Sequence, residues 1–302
     1  MPGVFPGDED VATGYPGDEI MSDGTAKPAK KIDKKIVIAV VAVIVIIAVL
    51  AIFSDPIISS INKIGMIDTM GIGGSNQTQM LVIGQPSVDL LADLDNQRDL
   101  IYYRIKNAAD LDVAPQELLA QYDVILLDQH MGTTPYDKSV SRALGEAIEN
   151  YVMTGGKLVV VMDSGIYRSG GEFDTGVASD VIGWKETFGN IIPVKCDEGT
   201  QGILTCTQPV RVTGTIERLD SDSEIMQGIE IAPADPRYGP LNILTFDVKP
   251  LGEQIAYINS AEVTKNYPGI VEKNLLIGKM IYFNYDPAMT PGIWQNTLEY
   301  LR

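Results

Sequence analysis

The sequence predicts an α/β protein with a doubly wound, mostly parallel sheet, an antiparallel excursion in that sheet, and one N-terminal transmembrane helix. Residues 79–163 alternate short apolar runs with single helical stretches, which is typical of parallel strands joined by crossover helices. Residues 191–219 alternate polar and apolar positions instead, as antiparallel strands do. Residues 36–53 form one uncharged apolar run, which is long enough to cross a bilayer.

The apolar run Ile36–Phe53 determines the expected organisation of the chain. As a helix it spans about 27 Å, close to the ~30 Å hydrocarbon core of a bilayer. A group of lysines precedes the run, whereas Lys63 is the only basic residue soon after it, so the positive-inside rule places the N-terminus in the cytoplasm. A buried core helix and a cleaved signal peptide are the alternatives, and the long polar leader argues against the second. We therefore expect a single-pass protein of the cell membrane with an extracytoplasmic C-terminal domain.

Four segments follow: a disordered cytoplasmic tail at 1–35, the transmembrane helix at 36–53, a juxtamembrane linker at 54–78 and an α/β ectodomain at 79–302. In the tail, Phe5-Pro-Gly-Asp-Glu is followed by a second copy, Tyr15-Pro-Gly-Asp-Glu, with Tyr in place of Phe. This is either a bivalent motif for a cytoplasmic partner or a chance repeat in an acidic low-complexity tail. In the linker, Asn76 begins the sequon Asn-Gln-Thr and is a glycosylation candidate.

Each element of the α/β domain has its own signal. Short apolar runs bounded by Gly, Pro or Asp predict strands at Met80–Gly84, Leu100–Lys106, Tyr122–Asp128 and Lys157–Asp163. Apolar residues at helical spacing, or Pro in a first turn, predict helices at Pro86–Asp95, Pro115–Gln121 and Tyr136–Met153. Later in the chain we expect a helix at Gly176–Phe188, strands at Ile243–Val248, Gln254–Asn259 and Lys279–Tyr285, and a final helix at Pro291–Leu301.

Net charge and cysteine content limit the functions that the chain can have. The net charge is −17, and so acidic a surface repels phosphate, which argues against a nucleic-acid partner. The two cysteines, Cys196 and Cys206, lie in strand-like sequence and are expected to form a disulfide across a hairpin in an oxidising compartment. A metal site would need further Cys or His ligands, and His130 is the one histidine of the chain. The sequence therefore indicates no resident metal or cofactor.

Four stretches carry a family resemblance: Tyr122-Asp-Val-Ile-Leu-Leu-Asp, Gly155-Gly-Lys-Leu-Val-Val-Val, Ser223-Glu-Ile-Met-Gln-Gly-Ile and Gly278-Lys-Met-Ile-Tyr-Phe-Asn-Tyr-Asp-Pro. Together they resemble the class I glutamine-amidotransferase-like superfold over residues 79–302. The resemblance is greatest to ThuA-like domains and to the ectodomains of membrane proteins and transporter accessory subunits of the gliding-motility type.

That resemblance implies the scaffold without the catalytic triad. Catalytic members of the superfold place a nucleophilic Cys on the turn after the fourth strand, followed later by a His and an acid. Here the turn reads Met162-Asp163-Ser164-Gly165, and no histidine follows Ser164. A serine without a base within reach is a poor nucleophile, so the resemblance implies a domain that does not catalyse acyl transfer.

The strand ends supply the candidate site. Ligands of open α/β sheets bind beyond the carboxyl ends of the strands, where this chain presents Asp128 and His130, then Asp163 and Ser164, then Asp286. Two or three carboxylates with one imidazole could bind a cation or perform acid–base chemistry. The alternative is that Asp128 and Asp163 cap turns and that His130 is an ordinary loop residue.

Two functions remain open. The favoured one is a non-catalytic binding or scaffolding module of a cell-envelope or transporter-associated assembly, because no base follows Ser164. The alternative is an extracytoplasmic hydrolase that uses Asp163, Ser164 and His130, with or without a metal. The expected partners are the membrane lipid bilayer, other envelope or transporter proteins, and a cytoplasmic protein that binds the repeats at Phe5 and Tyr15.

Overall fold

The computed structural model describes residues 77–169, 183–199 and 202–302. The expected tail with its Phe5 and Tyr15 repeats, the apolar run 36–53, nearly all of the linker, and Asn76 lie outside the described residues. The protein partners inferred from those segments stay predictions.

The described part contains five α-helices and fourteen strands. The helices are α1 (Val88–Asn96), α2 (Pro115–Leu119), α3 (Arg142–Met153), α4 (Trp184–Phe188) and α5 (Pro291–Tyr300). The strands are β1 (Thr78–Gly84), β2 (Ile101–Lys106), β3 (Val124–Asp128), β4 (Ser139–Ser141), β5 (Lys157–Val161), β6 (Tyr167–Ser169), β7 (Val194–Cys196), β8 (Pro209–Arg218), β9 (Ile231–Ala232), β10 (Leu241–Phe246), β11 (Val248–Pro250), β12 (Glu253–Ser260), β13 (Tyr267–Leu275) and β14 (Gly278–Phe283).

One sheet of ten strands organises the described part of the domain. Its order is β10-β8-β12-β13-β14-β5-β3-β1-β2, with β9 paired to β8. From β2 through β1, β3 and β5 to β14, each strand pairs parallel with the next. From β14 through β13, β12 and β8 to β10, each strand pairs antiparallel with the next. The mixed α/β class with a parallel centre is confirmed. The antiparallel part is larger than the predicted excursion, since it forms a whole side of the sheet.

The core lies around the parallel strands. All of β3 and the last four residues of β5 are buried, which means that both faces of these strands are covered and explains their unbroken apolar sequence. Each fully buried Val, Leu or Ile side chain contributes about 1.5–3 kcal/mol. By contrast, buried and more exposed positions alternate along β8, so one face of the antiparallel side is nearer to solvent.

Serine caps set where two helices begin. Ser87 accepts a hydrogen bond from Leu90 N at 3.1 Å before α1, and Ser141 accepts one from Leu144 N at 3.1 Å before α3. Such caps satisfy backbone N–H groups that the first helical turn leaves unpaired. Helix α3 therefore begins at Arg142, although the sequence predicted a start at Tyr136, and the intervening residues form a turn and β4.

Other sequence predictions need correction. Strand β13 was missed because Pro268 and Gly269 near its start are untypical of strands. Strand β5 ends at Val161, before the predicted Asp163, because Met162 has a φ of 53° that breaks the extended backbone. Of the helix predicted from Gly176, the described residues include only α4.

The membrane location is also corrected. In residues 77–169, 183–199 and 202–302, no helix combines the length and apolar character needed to span a bilayer. The structure thus gives no support to a single-pass, extracytoplasmic protein of the cell membrane, and that location is not retained; the run 36–53 on which it was based lies outside the described residues.

The predicted disulfide is confirmed. Cys196 at the end of β7 is bonded to Cys206. Strand β7 pairs antiparallel with β11, where Cys196 lies opposite Val248. The bond therefore fastens the segment between β7 and β8 beside the small sheet β7-β11.

Candidate functional site

Five charged side chains gather beyond the carboxyl ends of three adjacent parallel strands, and we call them the strand-end cluster: Asp128, His130, Lys138, Asp163 and Asp286. Asp128 is the last residue of β3, and Asp163 and Asp286 follow β5 and β14. These strands are neighbours in the order β14-β5-β3. The loops that follow them therefore meet at one edge of the sheet, as expected for parallel strands.

His130 lies between two carboxylates. Its Nδ1 is 2.5 Å from Asp128 Oδ1, and its Nε2 is 3.6 Å from Asp286 Oδ2. The backbone N–H of His130 also donates to Asp128 Oδ1, at 3.2 Å. The His130 side chain is 6% exposed, that of Asp128 is 0% exposed and that of Asp286 is 22% exposed.

These contacts fix the protonation of the imidazole. Burial lowers the pKa of His130, but the contacts with the carboxylates of Asp128 and Asp286 outweigh burial and raise the pKa to about 10. His130 is thus an imidazolium at neutral pH. Burial raises the pKa of Asp128 against the opposing effect of His130. Burial also acts to raise the pKa of Asp286, but the contact with His130 outweighs it and the pKa is lowered.

Lys138 neutralises the third carboxylate. Its Nζ lies 2.5 Å from Asp163 Oδ2, with the two side chains 17% and 10% exposed. Burial raises the pKa of Asp163, and Lys138 opposes that rise. Lys138 was not among the residues predicted for the site, because it lies in the loop after β3, well beyond the strand end. The sequence does single it out in one respect, since Lys138 is the first Lys or Arg after Lys106.

Ser164 is bound into the turn after β5. It is fully buried, its Oγ donates to Val161 O at 2.5 Å, and its Oγ accepts from Gln129 N at 2.7 Å. The Gln129 side chain accepts from Gly165 N at 2.9 Å and so joins the same two loops. The hydroxyl of Ser164 therefore bonds to Val161 and Gln129 and holds the turn, and His130 is not among its hydrogen-bond partners.

The strained position of this turn is occupied by Met162. Its φ of 53° is left-handed, which costs a non-glycine residue roughly 1–2 kcal/mol. Strained turns at strand ends are where several hydrolases present a nucleophile. A buried thioether at this position cannot serve as one.

The cluster has unsatisfied acceptors. Asp128 Oδ2 and Asp163 Oδ1 are buried and have no hydrogen-bond partner. Within the part of the chain that the structure describes, no group of three or more His, Cys, Asp or Glu residues is arranged to hold a metal ion. The cluster can therefore fix charges and accept hydrogen bonds, which is the chemistry of recognising polar groups.

No family model matches the chain, and no curated protein matches it. Solved structures do match, and β-galactosidases recur among them: the enzyme from Rahnella sp. R3 is 13% identical, with a TM-score of 0.48 over 74% of this chain and 31% of that one.

Two further structures belong to other classes. A protein described as a GMP synthase subunit, from Thermoplasma acidophilum, is 10% identical, with a TM-score of 0.39 over 74% of this chain and 94% of that one. The carbohydrate deacetylase Agd3 is 9% identical, with a TM-score of 0.40 over 74% of this chain and 32% of that one. This chain spans only 31% of the length of the first β-galactosidase and 32% of the deacetylase.

The family assignment made from the sequence is wrong. No family model supports a class I glutamine-amidotransferase-like domain of the ThuA-like or gliding-motility branch, and β-galactosidases, GH42 enzymes among them, recur among the matching structures. The strand-and-turn patterns behind that resemblance are compatible with many α/β folds, and fold alone does not specify function.

Proposed function

We propose that the strand-end cluster is the recognition site for a small polar ligand that carries several hydrogen-bond donors, such as a carbohydrate. The observation that carries the proposal is the convergence of Asp128, Asp163 and Asp286 from three adjacent strands on His130 and Lys138. Fixed carboxylates at the carboxyl edge of a parallel sheet are well placed to orient a polar ligand.

The protonation of His130 and the hydrogen bonds of Ser164 support ligand binding without catalysis. His130 has both ring nitrogens directed at carboxylates and a pKa of about 10, so it is a poor base at neutral pH. Ser164 is buried with its hydroxyl engaged. The charges therefore serve to position a ligand.

A hydrolase is the second candidate, and one observation favours it. Asp128, His130 and Asp286 form a carboxylate–imidazolium–carboxylate array whose outer member, Asp286, remains 22% exposed. An exposed carboxylate of this kind can activate a water molecule, and an adjacent imidazolium can donate a proton to a leaving group. In this hypothesis Asp286 is the base and His130 the acid, with no role for Ser164 as nucleophile.

One experiment separates the two candidates. Thermal shift against a panel of mono- and disaccharides is compared between the wild type, Asp286→Asn and the control Asp235→Asn, whose carboxylate forms an ion pair with Arg237 outside the cluster. Binding predicts a shift that Asp286→Asn removes and the control keeps. The same panel is then assayed for hydrolysis. Turnover that disappears in Asp286→Asn but survives in Ser164→Ala would establish the hydrolase, and a full panel without any response would refute both.

A further inference from the structure

The two cations of the strand-end cluster face its own carboxylates. His130 Nδ1 lies 2.5 Å from Asp128 Oδ1, and its Nε2 lies 3.6 Å from Asp286 Oδ2. Lys138 donates to Asp163 Oδ2 at 2.5 Å. Both cations are thus held by carboxylates of the cluster.

Two acceptors of the cluster have no hydrogen-bond partner. Asp128 Oδ2 and Asp163 Oδ1 lack one although both atoms are buried. A buried polar group without a partner is costly, so the two carboxylates favour a ligand that brings a donor. The Asp163 side chain is the one that such a ligand reaches, because it is 10% exposed while that of Asp128 is 0% exposed.

The net charge of the cluster favours a positively charged ligand donor over a neutral one. Three carboxylates, those of Asp128, Asp163 and Asp286, face two cations, His130 and Lys138. With these groups ionised, one negative charge remains uncompensated. A ligand hydroxyl would satisfy an acceptor but leave that charge, whereas an ammonium supplies three donors and one positive charge, and its hydrogen bond to a carboxylate is roughly twice as strong as a neutral one.

Lys138 itself shows that the Asp163 carboxylate accepts an ammonium, at 2.5 Å on Oδ2. We propose that the ligand of the strand-end cluster carries a protonated amino group, and that this group binds the Asp163 carboxylate beside Lys138. The inference rests on the proposed function, because it names the chemical class of the ligand that the same site binds. It also makes Lys138 a competitor: removing its charge frees the carboxylate for the ligand.

The test uses three probes that differ at one substituent: glucosamine, glucose and N-acetylglucosamine. Their affinities for the full chain are measured by isothermal titration calorimetry at pH 6.5 and low salt, where the amine of glucosamine is protonated. Glucosamine is expected to bind about tenfold more tightly than either of the others, since a charge-assisted hydrogen bond replaces a neutral one. Asp163→Asn should remove that advantage, and Lys138→Met should increase it.

Asp247→Asn is the matched control, because its carboxylate pairs with Lys265 outside the cluster. It should leave all three affinities unchanged. Equal binding of the three probes would overturn the amine inference and leave the proposed function standing. Binding of other polar ligands but of none of the three probes would also overturn the amine inference and leave the proposed function standing. Binding of no ligand at all would overturn both the amine inference and the proposed function. If Asp163→Asn does not fold, Lys138→Met tests the inference instead. An unchanged glucosamine affinity in Lys138→Met would contradict the inference.

Discussion

Replacing His130 by Gln should destabilise the domain strongly, because it removes the cation between two carboxylates. Asp128 is 0% exposed and its Oδ1 lies 2.5 Å from the imidazole. Breaking a buried ion pair by removing one partner costs about 3–5 kcal/mol. The pKa leads to a figure of the same order: a folded value of about 10 against an ordinary 6.5 has a low-pH limit of about 5 kcal/mol at roughly 1.4 kcal/mol per pKa unit, and the contribution at pH 7 is somewhat smaller.

Urea unfolding at pH 7 measures the effect on His130→Gln, with the free energy of unfolding obtained from the midpoint and the slope. The double variant His130→Gln with Asp128→Asn should recover much of the loss, because the neutral amide no longer needs a cation. Arg237→Gln, which breaks an exposed pair with Asp235, is the control and should change little. A loss below about 1 kcal/mol in His130→Gln would refute the assignment of a buried imidazolium.

The pH dependence supplies an independent arm of the same prediction. The pKa of His130 is higher in the folded state than in the unfolded state, so its contribution to stability is complete below about pH 6.5 and is lost as the pH rises through about 10. The wild type should therefore lose stability between these values, and His130→Gln should lose much less. Parallel stability curves for the two proteins would contradict the reasoning.

Three further predictions concern the turns and the disulfide. Ser164→Ala should cost about 1–3 kcal/mol in urea unfolding, since a buried N–H loses its acceptor, while ligand affinity stays unchanged; lost affinity at full stability would show a direct role in the site. Gly84→Ala should lower the thermal midpoint and weaken ligand binding, because φ is +117° and the new Cβ would lie 2.3 Å from Asp128 O; a wild-type midpoint would contradict this. Replacing Cys196 and Cys206 together by Ser should cost about 2–3 kcal/mol, and wild-type protein under reducing conditions should fall to the same stability if the bond is what matters.

The sequence predicted the parallel part of the fold because burial of both faces leaves a local trace. Strands such as β3 and β5 must be apolar at nearly every position, and their order along the chain then brings Asp128 and Asp163 to one edge. The antiparallel side was underestimated because its sequence signal is weaker: apolar runs are interrupted along β8, where buried and more exposed positions alternate, and β13 contains Pro268 and Gly269.

The carboxylates of the candidate site were predicted from the sequence, but the lysine that pairs with one of them was not. Strand ends identify carboxylates without any knowledge of the loops, which is why Asp286 was found. Lys138 reaches Asp163 only through the path of the loop after β3, and no local pattern encodes that path. The hydrogen bonds of Ser164 to Gln129 and Val161 likewise depend on two loops meeting, so its position in the turn suggested a nucleophile that its contacts do not support.

The position of β14 has a consequence for synthesis of the chain. This strand lies between β5 and β13, yet it is translated about 120 residues after β5, which at 5–20 residues per second takes roughly 6–24 seconds. Throughout that interval the apolar edge of β5 has no partner on one side, and unpaired strand edges promote association between chains. A nascent chain stalled before residue 278 should therefore be a strong client for ribosome-associated chaperones, and one extended past residue 283 and clear of the exit tunnel should not.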